Sequence, residues 1–462
     1  MTADALTHTT QVTIVGGGFT GLSAAYELAK AGIAVTVLEA SNEIGGLAAA
    51  FEVGGEKLDR FYHHWFTNDL EVMGLINELG VSERVDISPT NTGIYYANNF
   101  FRLSTPWDLL NFTPLGFADR IRLGLLALRA RRVNDWMALE SQTAQDWLRS
   151  LGGEAVYRVV WQPLLKGKFG PYADQVSAVW FWNKLKLRGG SRGKGGEERL
   201  AYFRGGFVAL ADTLTARIRA LGGRIEMNAS VESIQQREGM WEALTPSGTV
   251  RSRRILATTA LPLVADMVRQ WAPPSYVAEL ERIKYIGNVC LVLELDRSLS
   301  ETYWLNVNDP SFPFVGVIEH TNFESPKTYG GRHIVYLSKY LPHTDRLYAM
   351  GADELLDYAL PYLQTMFPTL QREWILNHHL WRARWSQPVV EKHYSQLIPS
   401  EDAPAPGLHL CSMAQIYPED RGTNYAVREG RRCGRRLANM LLTEERSART
   451  GNSQEQKQAG EA

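Results

Sequence analysis

QVTIVGGGFTGLSAAYELAKAGIAVTVLEA, residues 11–40, is the stretch on which the reading of this chain turns. Residues 11–15 form a short apolar, β-branched run of the kind that makes a buried parallel strand. Gly16, Gly18 and Gly21 follow in G-x-G-x-x-G spacing. Gly16 permits the tight turn, Gly18 lets the backbone approach a pyrophosphate, and Gly21 lets the next helix pack close to the strand. Residues 23–30 are rich in Ala and Leu and predict a helix, whose start offers free N–H groups and a positive dipole end to an anion. Gly32 ends that helix. Residues 34–38 read as a second strand with Glu39 at its tip. A carboxylate there accepts hydrogen bonds from a ribose with free hydroxyls and repels a 2′-phosphate. Glycines in this spacing also make ordinary turns. The strand before, the helix after and the acid at the right distance point to a dinucleotide instead.

With 462 residues the chain exceeds one simple core, and two interleaved domains are expected. Its 45% hydrophobic and 21% charged residues are ordinary for a globular protein, and a net charge of −1 gives no reason to expect nucleic acid as a partner. Cys290, Cys411 and Cys433 show no paired spacing. They suggest a reducing, cytoplasmic setting with neither a disulfide framework nor a metal site. The first residues lack the apolar core of a signal peptide, and no run of about 18 apolar residues occurs that would span a membrane. Residues 443–462 are polar and charged and predict a disordered tail.

Beyond Glu39 stands a second glycine pair, Gly45-Gly46, followed by a hairpin that turns at Gly54-Gly55. The first glycine motif, the Glu and this pair resemble the flavoprotein superfamily of amine oxidases, protoporphyrinogen oxidases, phytoene desaturases and UDP-galactopyranose mutases. The resemblance implies FAD as cofactor, with the Gly45-Gly46 segment running past the pyrophosphate and ribityl chain. The usual Arg after that pair is replaced by Leu47 and Ala48. DRFYH, residues 59–63, is similar to a D-x-G-x-H stretch that passes the flavin ring, with Phe61 in place of the small residue. On that likeness His63, in preference to His64, lies against the isoalloxazine. The plainer alternative makes both histidines packed rings in an aromatic wall.

Residues 68–79 and 105–140 read as helical. Within the second, DRIRLGLLALRARRV (119–133) mixes Leu with five arginines. It is a substrate-domain helix with a solvated Arg face, or a basic amphipathic helix in peripheral contact with an anionic membrane. Residues 161–185 resemble a protoporphyrinogen oxidase segment and carry Trp161, Trp180, Phe181 and Trp182, which suit a deep apolar pocket. Residues 184–199, KLKLRGGSRGKGGEER, are either a solvated loop or an anion clamp. In the second reading Arg188, Arg192 and Lys194 close on a phosphorylated substrate tail. Residues 202–234 resemble the superfamily's second nucleotide segment, which implies that the backbone at Val231 meets the adenine.

Apolar runs at 290–295, 313–318 and 333–337 suggest an antiparallel sheet, which in the superfamily roofs the flavin. Glu319, His320, Thr321 and Asn322 end one of its strands, a good place for acid–base groups. Residues 407–437 resemble the C-terminal flavin motif, with a helix opening at Gly422. That likeness assigns Asp420, Gly422, Thr423 and Asn424 to the cofactor, Asp420 nearer the ribityl or pyrophosphate. A helix N-terminus there stabilises the negative charge that a reduced flavin gains.

The expected fold class is α/β. A discontinuous Rossmann-like FAD-binding domain of glutathione-reductase type spans 10–100, 200–261 and 400–442. An inserted α+β substrate domain with an antiparallel sheet spans 101–199 and 262–399. The expected function is an FAD-dependent oxidoreductase that moves hydride from a small organic substrate, apolar or phosphorylated, to flavin N5. His63 and His320 are its catalytic candidates. Two alternatives stay open: a UDP-galactopyranose-mutase-like enzyme on a nucleotide sugar, and a non-catalytic binding protein of the Rab GDP-dissociation inhibitor type.

Overall fold

The structure, a computed structural model, describes residues 7–102, 106–188 and 198–460. Strand His8–Val15 stands in the middle of a seven-stranded sheet. On one side it pairs in parallel with Val35–Leu38, which pairs in parallel with Arg224–Glu226. On the other side it pairs in parallel with Gly248–Ala257, whose last residues pair in parallel with Leu408–Leu410. Three separate stretches of chain therefore meet in one parallel sheet. Strands Met240–Thr245 and Ser233–Arg237 extend it as an antiparallel meander. The run of Val, Ile and Leu in the two central strands is buried on both faces, as parallel strands require.

Val12, Ile14, Val35 and Val37 face a helical layer made by Phe19–Lys30, Gly206–Ala220, Leu70–Leu79 and the C-terminal helix Thr423–Gly460. Two glycines set the depth of that layer. A Cβ on Gly430 would lie 2.3 Å from the Thr20 carbonyl oxygen, and one on Gly434 would lie 2.6 Å from that of Ala24. The last helix thus runs parallel to the first with backbone against backbone. Arg431 and Arg435 then reach the buried Glu27 at 2.6 and 3.0 Å.

A second seven-stranded sheet runs Ile375–Pro388, Tyr285–Leu295, His333–Leu341, Gly316–Glu319, Trp304–Val307, Thr92–Tyr96, Asn99–Arg102. Its pairings are antiparallel except that of Trp304–Val307 with Thr92–Tyr96. Residues 92–100, expected with the nucleotide segment, belong here instead. Ile94 and Tyr95 are buried in this sheet, so their apolar surface is satisfied away from the first one. A three-stranded sheet of Trp65–Phe66, Arg199–Phe203 and Val85–Pro89 links the two halves.

The helical stretch expected at 105–140 divides. Pro106–Leu110 and Phe117–Arg131 are separated where Pro114 and the extended Gly116 cannot continue a helix. The disordered tail expected at 443–462 is also corrected, because the last helix continues to Gly460. Of the expected anion clamp, Arg188 ends the helix Ala178–Arg188. Arg192 and Lys194 lie outside the described residues. Among the described residues no helix is long and apolar enough to cross a membrane.

Helix contact through Gly430 leaves no room for a side chain. Gly430→Val should lower the unfolding free energy by about 2–4 kcal/mol. Gly74 is an exposed glycine inside Leu70–Leu79 with open space at its Cβ position. Gly74→Ala should raise stability by about 0.5–1 kcal/mol. Denaturant unfolding of the two variants beside the parent checks both signs, and equal effects would mean the close contact is not under load.

Candidate active site

Gly16 takes φ 109°, and a Cβ on Gly21 would lie 2.0 Å from the Gly16 carbonyl oxygen. Both positions therefore demand glycine. Gly18 is different. Its φ of −76° suits any residue, and a Cβ there would meet nothing within 4 Å. Gly18 caps the first helix without a side-chain hydrogen bond, so the helix opens with N–H groups that no capping side chain takes up. The second glycine pair completes the cradle. Gly45 N–H donates to Gly17 O at 2.9 Å, and Gly46 comes so close that its Cβ would lie 3.3 Å from Gly18 Cα.

Glu39 is fixed at the edge of this cradle by Gly17 N–H at 2.7 Å and Ser41 N–H at 2.9 Å. The segment leading to Val231 is tied to it: Ala229 N–H donates to Glu39 O at 2.8 Å and Asn228 N–H to Ser41 O at 2.9 Å. Gly16, Gly18, Gly21, Glu39, Gly45, Gly46 and the Val231 segment are thus brought together around one groove.

The C-terminal motif approaches from the same side. Gly430 sits on Thr20, and Thr423 lies seven residues earlier. At about 1.5 Å per residue, the start of the last helix projects roughly 10 Å beyond the start of the first. Gly422 and Thr423 are at that tip. Asn424 is buried and its Oδ1 accepts from Glu71 N–H at 3.0 Å and Val72 N–H at 3.1 Å. It caps Leu70–Leu79, a structural task that the sequence did not show.

Asp59 positions the segment that carries His63. Its carboxylate accepts from Tyr202 OH at 2.7 Å and Phe207 N–H at 3.0 Å, and its backbone carbonyl accepts from Tyr336 OH. Burial pushes this carboxyl up to about 7. His63 stacks on Phe207 at 5.2 Å, and its buried Nδ1 has no hydrogen-bond partner. Burial, with the neighbouring Arg421 adding to it, pushes His63 down to about 3. The ring is therefore neutral at physiological pH and is no proton shuttle poised near neutrality.

His320 is not with it. It is 2% exposed, hydrogen-bonded through Nε2 to Tyr329 OH at 2.9 Å, and packed edge-on against Tyr202 and Tyr336. Burial pushes it down to about 3 as well. Its neighbours are equally committed: Glu319 accepts from Leu299 and Ser300, Thr321 from Ile334 N–H, and Asn322 donates to Ser300 O and Thr302 O. The expected acid–base cluster at this strand end is a hydrogen-bonded corner of the core. The expectation that His320 lines a cavity shared with His63 is corrected on that ground.

Arg421, which neighbours His63, belongs to a group of polar side chains most of which the sequence did not single out. Arg421 donates to Tyr340 OH at 3.4 Å, while its buried Nε has no partner. Lys168 Nζ lies 5.1 Å from the Tyr340 ring. Burial would push the Tyr340 phenol up, but Lys168 and Arg421 outweigh it and hold the phenol below its ordinary range. Tyr62, beside it, donates to Ser338 Oγ at 2.9 Å, and burial pushes its phenol well up. Asp420 takes Lys184 at 2.7 Å, Lys168 at 3.8 Å and Gln387 Nε2 at 3.0 Å. Burial alone would raise the Asp420 carboxyl; Lys184, Lys168 and Arg421 hold it far below the usual carboxylate range. Oδ2 is committed to the two lysines and Oδ1 to the Gln387 amide, which differs from the ribityl or pyrophosphate contact expected of Asp420.

Tyr62, His63, Tyr340, Arg421, Lys168 and Lys184 are all half-buried. With the unpartnered His63 Nδ1, Arg421 Nε and Gln387 Oε1, they make a polar chamber at the tip of the last helix. A glycine-lined cradle and a chamber with unused hydrogen-bonding atoms fit a flavin dinucleotide. A separate cavity of about 430 Å³, lined by Gln145, Tyr157 and Lys166 among others, shares no residue with this site.

The description "flavin containing amine oxidoreductase" belongs to the family model that matches residues 19–438. Among curated proteins the chain is similar to 15-cis-phytoene desaturase of Narcissus pseudonarcissus, with 24% identity over 329 residues, 63% of this chain and 55% of that protein. It is also similar to coproporphyrinogen III oxidase of Mycobacterium leprae, with 28% identity over 173 residues, 35% of this chain and 38% of that protein. The chain thus spans about half the length, or less, of these relatives. An oxidoreductase from Methanosarcina mazei superposes with a TM-score of 0.69 at 18% identity, covering 94% of this chain and all of that one. At that identity the likeness is one of fold.

Gly18→Val should fill the cradle while leaving the apo fold intact, since nothing stands where the new Cβ goes. Purified variant protein should keep the apo parent's thermal midpoint and carry no flavin absorbance, where the parent carries one FAD per chain. A variant that retains full flavin would show that the cradle holds no pyrophosphate.

Proposed function

The chain belongs to the flavin-containing amine oxidoreductase family, and from that premise we propose that it dehydrogenates an anionic or uncharged substrate rather than an amine cation. It is an oxidoreductase, and its cofactor is FAD. The Gly18 helix start and Gly45-Gly46 would hold the pyrophosphate, Glu39 the ribose, the Val231 backbone the adenine, and the N–H groups at Gly422 and Thr423 the pyrimidine end of the flavin. These assignments rest on the shared groove and on the resemblance together. The parallel strands drawn from three chain segments support reading this half as a Rossmann-like nucleotide domain. When bound, FAD supplies an acceptor at N5 for hydride leaving the substrate.

The observation that carries the substrate reading is charge. Lys168, Lys184 and Arg421 stand around Asp420, with Asp69 acting on Lys184 from farther off and burial holding Lys168 below its ordinary range. At roughly 5 Å and an effective dielectric of about 20, each unbalanced cation repels a positive substrate by about 3 kcal/mol. An amine would enter this chamber against that field, whereas a carboxylate-bearing or apolar molecule would not. The same excess of positive charge favours negative charge on a reduced flavin.

Within the chamber Tyr340 is the group suited to take a proton. Lys168 and Arg421 already favour its phenolate, while neutral His63 offers a hydrogen bond and a wall. Arg421 and Lys168 are positioning residues for that phenol. Neither a nucleotide-sugar reaction nor a purely binding role is favoured by a particular contact here.

Anaerobic mixing with a carboxylate-bearing porphyrinogen, an uncharged polyene and a primary amine tests the reading through loss of the oxidised flavin absorbance. Bleaching by the first or second is expected, and bleaching fastest by the amine would overturn it. With the active substrate, flavin reduction should speed up as pH rises toward the ionisation of Tyr340, below the ordinary tyrosine range. Tyr340→Phe should remove that limb and slow reduction by roughly a hundredfold with FAD retained. A pH profile unchanged in the variant would take Tyr340 out of the chemistry.

A further inference from the structure

Helix Phe117–Arg131 has two apolar stripes, and only one is used by the fold. Leu123, Leu126 and Ala130 are buried against the helices behind it. Phe117, Ile121, Leu125 and Leu128 are exposed, Phe117 at 66%. With 3.6 residues per turn these four fall within a sector of roughly 80° on the side opposite the buried stripe. The short helix Pro106–Leu110 adjoins them. Arg120 fastens it by donating to Leu110 O and Leu115 O, and Leu109 packs on Gly124. That helix adds the exposed Leu110 and Trp107, the latter 74% exposed. A large apolar patch of this kind, with a ring such as Trp at its rim, is unusual on a surface that faces only water.

The charge around the patch is mostly positive. Residues 107–132 hold five arginines against Asp108 and Asp119, in a chain whose net charge is −1. Arg122 and Arg129 flank one side of the exposed stripe and Arg131 the other, with Arg132 at the helix end; all four are exposed. Docking with a second copy about a two-fold axis would set these arginines against each other. An anionic lipid surface satisfies both features at once: headgroups meet the arginines and the acyl boundary receives the apolar stripe.

We propose that the Trp107–Arg132 face docks on the surface of an anionic membrane, with helix Phe117–Arg131 lying in the interfacial plane. A contact made by an exposed apolar stripe and flanking arginines is reversible and salt-sensitive.

Co-sedimentation of the flavin-loaded full chain with vesicles tests this. Vesicles of phosphatidylglycerol and phosphatidylcholine should pellet the protein, and pure phosphatidylcholine should bind it at least tenfold less. The triple substitution Ile121→Gln, Leu125→Gln, Leu128→Gln touches only exposed positions and should abolish pelleting while flavin content and thermal midpoint stay unchanged. The triple substitution Arg129→Gln, Arg131→Gln, Arg132→Gln should erase the preference for the anionic lipid. Failure of the parent to pellet, or equal pelleting of the apolar variant, would overturn the proposal. So would a parent dimer in light scattering that the apolar variant converts to monomer, because the face would then be covered by a second copy.

Discussion

The structure depends on backbone carbonyls meeting glycine. The first helix is held against its own strand where Gly21 covers the Gly16 carbonyl, and it is held from outside where Gly430 and Gly434 cover the carbonyls of Thr20 and Ala24. No side chain can enter any of these contacts without moving one element off another. Their joint effect is positional. The clasped helix presents its N-terminus at Gly18, and the helix that clasps it presents a second N-terminus roughly 10 Å farther along the same groove. Two positive helix ends in line, one over a glycine cradle and one over a polar chamber, are what an extended dinucleotide with a redox-active ring requires.

The chamber is governed by desolvation. The same burial that leaves both candidate histidines neutral makes the Lys168, Lys184, Arg421 and Asp420 cluster strongly felt, since charges interact more in a water-poor site. On the proposed reading, proton handling falls to a phenol pulled toward its anion by two cations, and the neutral imidazoles serve as packing and hydrogen-bonding groups. Asp59 performs the complementary task one layer below, fixing Tyr202, Phe207 and the His63 segment to one another.

The half built on the parallel sheet was legible because its requirements are local. A strand, three glycines, a helix and an acid lie within 30 consecutive residues, and each obeys backbone sterics that leave a mark in sequence. The chamber was not, because it is assembled across distance. Lys168 and Lys184 come from two helices, Tyr340 from a strand of the second sheet, and Arg421 from the turn before the last helix. Lys168 and Lys184 sat within an aromatic stretch that was already singled out, and Arg421 stood between two assigned residues. Tyr340 alternates with Ser338 on one strand and had no pattern to betray it. His320 misled because a polar strand end looks alike whether it opens to a pocket or closes a loop. Residues 92–100 misled because the hairpin they help form joins a sheet whose remaining strands follow some 200 residues later.

The central claim is that the two helix ends share one bound flavin. A crystal structure of the purified holoenzyme tests it most directly. The account predicts the pyrophosphate on the N–H groups beside Gly18 and the flavin ring in the chamber between His63 and Arg421, with its pyrimidine edge at Gly422 and Thr423. A flavin whose pyrophosphate lies away from Gly18, or whose ring lies outside that chamber, would contradict it.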